Sequence, residues 1–266
     1  MTSELIVTVS GKHLQERPPG DVEVWTLNRP HVRNALNPSL VEALDTSLKA
    51  AEKSGVRVVV LRGNGPSFCA GADLQYLQTY DAPAGETPRN FLRSIWDLTI
   101  SMEHSPIVFV AALHGHAVAG GLELALACDV VLADEETLIG DGHVGRNLLA
   151  GGGASARLER TLGRNTALWL ALTGTLLPAG DPALAGWLRC TTQKAKFDAS
   201  INDVVDQLLS APAPAQQAYK RVLHEQVPAP SEADRDRELH AFDRHWVEQN
   251  VPEDLRLFLN QNRKAS

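Results

Sequence analysis

One stretch limits the folds open to this chain more than any other. The unbroken apolar run Ile107-Val-Phe-Val-Ala-Ala-Leu113 leads into the glycine-bearing segment His114-Gly-His-Ala-Val-Ala-Gly-Gly121, and then into Leu122–Cys128, apolar and free of β-branched residues. The first reads as a buried strand and the last as a buried helix, an order that belongs to a mostly parallel α/β sheet. The start of such a helix presents unpaired backbone N–H groups at the positive end of its dipole, where negative charge on a bound group is stabilised. Gly120 and Gly121 place no Cβ between a ligand and the backbone. Glu123 stands in the first turn of this helix; its plainest role there is to complement the dipole.

The flanking sequence agrees with an α/β sheet. Leu5–Val9 and Val22–Leu27 read as strands joined by a polar turn that holds Pro18-Pro-Gly20. Asn37 and Pro38 open a helix whose Leu40, Val41, Leu44, Leu48 and Ala51 share one face. Val56–Leu61 is a near-continuous β-branched run of the kind buried on both faces of a parallel sheet. A Pro/Gly-rich segment, 81–88, reads as a mobile loop before a helix over Arg89–Glu103, and Asp129–Ala133 reads as another strand. Downstream the pattern turns helical, over 157–162, 165–172, 198–210, 213–225, 232–249 and 253–263. The division this predicts is an α/β core over 1–195 and a helical C-terminal region over 196–266.

A net charge of −7 argues against a general nucleic-acid binder, so any polyanionic ligand needs a local Arg/Lys cluster. Cys69, Cys128 and Cys190 are odd in number and lack metal-ligand spacing, which predicts free thiols in a reducing compartment. No run is long enough to span a membrane, and Met1-Thr-Ser-Glu lacks a signal-peptide pattern, so a cytoplasmic location is expected. No motif supports metal, flavin or nicotinamide use.

Three motifs in order carry a resemblance: Asn28-Arg-Pro…Asn34-Ala-Leu-Asn37, Phe68-Cys-Ala-Gly-Ala-Asp-Leu74 and Gly115–Asp129, with Leu172-Thr-Gly174 beyond them. Together they resemble the crotonase superfamily, the enoyl-CoA hydratase/isomerase fold, from about Trp25 to the C-terminus. The resemblance implies a ββα spiral core with a helical C-terminal trimerisation region, assembled as a homotrimer or a dimer of trimers (a hexamer). It also implies an acyl-CoA thioester substrate, with coenzyme A as part of that substrate and no tightly bound cofactor. Backbone N–H groups of Ala72 and Gly120 would form the oxyanion hole. Arg29, Arg33, Ala35, Leu36 and Ala70 would hold the CoA moiety, with Asp73, Gly121 and Gly151 beside them. Phe242 and Phe258 match aromatic positions that cover CoA from a neighbouring subunit. The basic residue that the family carries after Phe258 is replaced by Gln261, which would pass phosphate contact to Arg263 or Lys264.

Against the hydratase pattern of two glutamates, the first matches Glu123, while the position of the second holds His143. Imidazole titrates near neutrality and can serve as general acid or base. Asp141, two residues earlier, is expected to point elsewhere. His114 and His116 read as structural or pocket-lining, and Cys69 and Cys128 as packed thiols. These readings imply a lyase or isomerase that stabilises a thioester enolate, with Glu123 and His143 as the acid/base pair. Two alternatives stay open: a hydrolase of a C–C or thioester bond with His143 activating water, and a catalytically weak CoA-binding homologue.

Overall fold

The computed structural model describes residues 3–9, 21–80, 82–227 and 229–264. Its strands are β1 (Leu5–Val9), β2 (Val22–Leu27), β3 (Val58–Gly63), β4 (Val108–Leu113), β5 (His116–Val118), β6 (Val130–Asp134), β7 (Leu138–Gly140), β8 (Leu177–Pro178) and β9 (Cys190–Thr192). Its helices are α1 (Pro38–Ser54), α2 (Leu74–Leu77), α3 (Arg89–His104), α4 (Gly120–Leu126), α5 (Ala154–Leu162), α6 (Arg164–Thr173), α7 (Phe197–Ser210), α8 (Ala213–Gln226), α9 (Glu232–Glu248) and α10 (Val251–Lys264). The expected Pro18–Gly20 turn and the side chains of Cys190, Arg263 and Lys264 lie outside the described residues.

The main sheet runs β1-β2-β3-β4-β6-β9. β1 lies antiparallel to β2, and every later pairing is parallel, with Val22 opposite Val58, Val58 opposite Val108 and Val110 opposite Val130. Successive side chains of a strand face opposite ways, and β3 and β4 use both directions. Val59, Leu61, Phe109, Ala111 and Leu113 join the large core under α1 and α3. Val58, Val60, Val108, Val110 and Ala112 meet Phe197, Ile201 and Val205 of α7 on the other face. The unbroken apolar runs are therefore what a sheet covered on both sides demands. A short second sheet, β5-β7-β8, stands beside the first and carries the turns that form the site.

Helix α1 follows its sequence signals: Asn37 accepts from Leu40 N at 2.8 Å, Pro38 occupies the first turn, and the chain leaves through Gly55 at φ 74°. Two helix starts differ from expectation. α4 begins at Gly120 rather than Leu122, and α5 at Ala154 rather than Arg157. Neither has a side-chain cap at its N-terminus, so no Ser, Thr, Asp or Asn marks the start. Within the segment expected to be a mobile loop, 83–86 are exposed, while Ala82 is buried and Glu86 O accepts from Trp246 Nε1 at 3.1 Å. Strands β5, β8 and β9 escape the sequence pattern because two or three residues carry no periodicity.

The loop before α1 is stitched to the loop after β3 by one side chain. Asn34 is fully buried at φ 57°, accepts from Arg29 N at 2.8 Å, and donates to Asn64 O at 2.9 Å and Ser67 O at 2.7 Å. Replacing it strands two carbonyls and an amide away from water and puts an alanine in a left-handed conformation. Asn34→Ala should lower unfolding free energy by about 2 kcal/mol or more in urea titrations; a change within error would show that these three bonds are dispensable.

Candidate active site

A cavity of about 470 Å³ opens where the turns after β3 and β5 meet the loop after β7. Its walls include Ala70, Ala72, Gly120, Glu123, His143 and Gly151, together with Arg33, Phe242 and Phe258. The size suits a small-molecule site.

Two backbone turns that border this space carry Ala72 and Gly120. Leu36 N donates to Gly71 O at 2.7 Å and Asp73 N to Leu36 O at 2.8 Å, which pins Ala72 between them. Ala119, at φ 52° and ψ −119°, turns the chain sharply into α4. Such a conformation costs an alanine about 1–3 kcal/mol and is held here by Ala119 N donating to Gly140 O at 3.1 Å. Among the described residues, neither Ala72 N–H nor Gly120 N–H donates to another backbone group. The two turns touch: a Cβ on Gly120 would lie 3.4 Å from Ala72 N. Two amides without a backbone partner at adjoining turns, one at a helix N-terminus, are available as donors to a bound group.

Glu123, three residues on from Gly120 in α4, is buried and lines the same cavity. Its Oε1 accepts from Gly152 N at 2.9 Å and Ala154 N at 3.1 Å, so the carboxylate supplies the acceptor that the start of α5 lacks. Gly152 has to be glycine, because a Cβ there would come within 2.5 Å of Glu123 Oε2. Burial raises the carboxyl's proton affinity well above the ordinary range, and Glu238 adds to the rise. The His143 charge and the two amides pull the other way without cancelling it.

His143 also lines the cavity, and Asp141, which does not, is paired with it. Gly142, at φ 67°, turns the chain so tightly that Asp141 Oδ1 reaches both His143 N at 3.3 Å and His143 Nδ1 at 3.1 Å. Burial would lower the ring's proton affinity, but the Asp141 carboxylate and its hydrogen bond, with the charges of Glu123 and Glu238, outweigh that and raise it. Burial likewise works against the Asp141 charge, and the imidazolium overcomes it, holding this carboxyl below its usual range. As expected, Asp141 does not line the cavity; the Asp-Gly-His turn instead builds an aspartate–imidazole pair. The signal was present in the sequence as a side-chain acceptor followed by glycine, a turn-forming pair.

Other expected residues divide. Arg33, Ala70, Gly151, Phe242 and Phe258 line the cavity, whereas Ala35, Leu36 and Gly121 support it from outside. Gly121 packs directly on the Cys69 carbonyl. Arg29 and Asp73 lie outside this lining and face each other at 2.9 Å, with Glu4 at 3.2 Å from Arg29 Nε. A guanidinium only 9% exposed needs such partners, and Asp73 also caps α2. Phe242 and Phe258 wall the cavity of their own chain, stacking on Trp246 (5.4 Å between centroids) and under Arg146 (4.1 Å). Arg146, which sequence reading did not single out, thereby joins Arg33 as a cation at the cavity. His116 lines the cavity and His114 is tied to Gly65 O at 3.1 Å. Cys69 and Cys128 are free and buried, with burial pushing Cys69 up to about 12. Among the described residues no group of His, Cys, Asp and Glu could hold a metal ion, and no helix is long and apolar enough to cross a membrane.

Asp141→Asn should lower the titration midpoint of the His143 ring by about one unit or more in an NMR titration. An unmoved midpoint would remove Asp141 as the cause of the ring's high proton affinity.

The enoyl-CoA hydratase/isomerase family profile matches residues 18–265. A probable enoyl-CoA hydratase of Rhizobium meliloti is 36% identical over 168 residues, 63% of each chain. The matches cover about three-fifths of the length of such curated relatives. Among solved structures, an enoyl-CoA hydratase from Mycobacterium avium subsp. paratuberculosis superposes with a TM-score of 0.83 at 26% identity, covering 96% of this chain and 98% of that one. A Thermobifida fusca protein solved in complex with acetoacetyl-CoA superposes with a TM-score of 0.73 at 27% identity, covering 94% and 93%.

Proposed function

The chain belongs to the enoyl-CoA hydratase/isomerase family, and on that premise we propose that it adds water to, or shifts the double bond of, an acyl-CoA thioester. The observation that carries this reading is one cavity lined by Ala72, Gly120, Glu123 and His143 together. A thioester carbonyl seated on the two amides accumulates negative charge when its α-carbon becomes an enolate, and each donor is worth roughly 10²–10³ in rate. Glu123 takes a proton from water as the water oxygen bonds to the β-carbon. The π electrons move to the carbonyl oxygen. The protonated His143 ring then delivers its proton to the α-carbon, which restores the thioester. In an isomerisation the same two groups remove and return protons on the substrate carbons.

The two proton affinities fit these roles. Both are raised, so near neutrality the imidazole carries a proton to give, while Glu123, lifted toward the working pH, exchanges one readily. A second reading, hydrolysis of a C–C or thioester bond, draws on the Asp141–His143 pair as a water-activating base. The ring's raised proton affinity favours the donor role instead. Arg33 and Arg146 at the cavity offer charge for CoA phosphates. A homotrimer or dimer of trimers completes the proposal, and its test is mass by light scattering.

Purified protein should consume a short enoyl-CoA with loss of the conjugated thioester absorbance, and should leave CoA-free diketones untouched. Turnover of the diketone alone would reverse the two readings. Glu123→Gln keeps an acceptor for Gly152 and Ala154 yet cannot take a proton, so kcat should fall by ~10²–10⁴ with KM little changed. The pH profile of kcat/KM should be bell-shaped. Its acid limb should lie above the ordinary glutamate range, and its alkaline limb should vanish in His143→Ala. A wild-type alkaline limb in that variant would take His143 out of the reaction.

A further inference from the structure

A third buried carboxylate stands behind the site, outside the cavity wall. Glu238 of α9 is 7% exposed, and its two oxygens meet four donors. Oε1 accepts from Gly153 N at 2.8 Å and Trp96 Nε1 at 2.8 Å; Oε2 accepts from Ser155 N at 2.9 Å and from the Ser155 hydroxyl. Set beside the Glu123 bonds, these complete a pattern. Four consecutive amides at the start of α5 alternate between two side chains, Gly152 and Ala154 to Glu123, Gly153 and Ser155 to Glu238. Glu238 also reaches the far side of the acid/base pair, where a second cavity of about 610 Å³ is lined by Asp141, His143, Ser155 and Glu238 together.

We propose that Glu238 is a positioning residue for the Glu123–His143 pair, clamping the α5 N-terminus from the C-terminal helix and holding a fixed negative charge behind both groups. The proposal rests on the functional reading above for its bearing on turnover, but its structural content does not. A helix start without a side-chain cap leaves its amides to whichever acceptors surround it. Were Glu238 absent, Gly153 and Ser155 would be stranded and the turn free to shift, taking with it the two amides that hold Glu123. A buried carboxylate also favours protonation of its neighbours, because a second negative charge close by is disfavoured and a positive one is favoured.

The other charged groups packed around this cluster are accounted for. From α3 and α5, Glu103 and Arg157 form a bidentate pair at 3.0 and 2.7 Å, joined by Arg160. On α9 itself, Asp234 and Arg237 pair with each other at the mouth of the second cavity. Asp141 is bound to His143. Glu238 alone among them shares its hydrogen-bond partners with the turn that holds Glu123.

The test uses the whole protein with Glu238→Gln and Glu238→Asp, each read in two ways. NMR titration of the His143 ring needs no substrate, and the pH profile of enoyl-CoA turnover reports on both groups. Glu238→Gln should lower the ring's midpoint by about half a pH unit or more and move the acid limb of kcat/KM down with it. Glu238→Asp, with its carboxylate one methylene farther back, should move both in the same direction by less. Folded variants whose midpoints stay at the wild-type values, with only a lower Tm, would reduce Glu238 to scaffolding and overturn the proposal. Should Glu238→Gln not fold, Glu238→Asp decides alone by the same criterion. If the wild type turns over no enoyl thioester, the functional reading fails while the ring titration still judges Glu238.

Discussion

The turns after β3 and β4 run side by side with their main chains in direct contact, and the site depends on that closeness. Phe68 N and Cys69 N donate to His114 O and His116 O at 2.8 and 3.0 Å, and Val118 N donates back to Cys69 O at 3.1 Å. Only backbones without intervening side chains approach so nearly, which is why Gly121 lies on the Cys69 carbonyl. Neighbouring parallel strands bring the two loops to one sheet end, and this main-chain bonding sets their registration. The Ala72 and Gly120 amides stand beside that lock and, among the described residues, donate to no backbone group.

Glu123 and His143 line the same cavity, and burial acts strongly on both. A carboxyl and an imidazole sealed from water would both tend to lose their charge. Here each has been given a companion: backbone amides for Glu123, Asp141 for His143. The balance leaves one group as a reluctant anion and the other as a tenacious cation, and proton exchange across a small cavity requires that pairing.

Much of this was legible in the sequence, and the reasons for the gaps are physical. β3, β4 and α1 announced themselves because long apolar runs and a capped helix start are local signals. Ala72, Gly120 and Glu123 were picked out by three motifs whose order was distinctive although each alone was not, and the structure sets them at one cavity. Arg29 was assigned to CoA by resemblance; its pairing with Asp73, 44 residues away, is a contact that no local pattern announces. Glu238 could not be found at all: it lies in a helix rich in charged residues, and its partners at 153 and 155 are backbone atoms that leave no mark on the sequence. Asp141 was within reach, since a turn of Asp-Gly-His encodes its own hydrogen bond.

The aromatic walls contributed by α9 and α10 have a further implication. Phe242 and Phe258 fold back over the cavity of the polypeptide that carries them. One polypeptide thus supplies aromatic wall and titratable groups to the same chamber, so any change in how its last two helices pack reshapes the chamber directly.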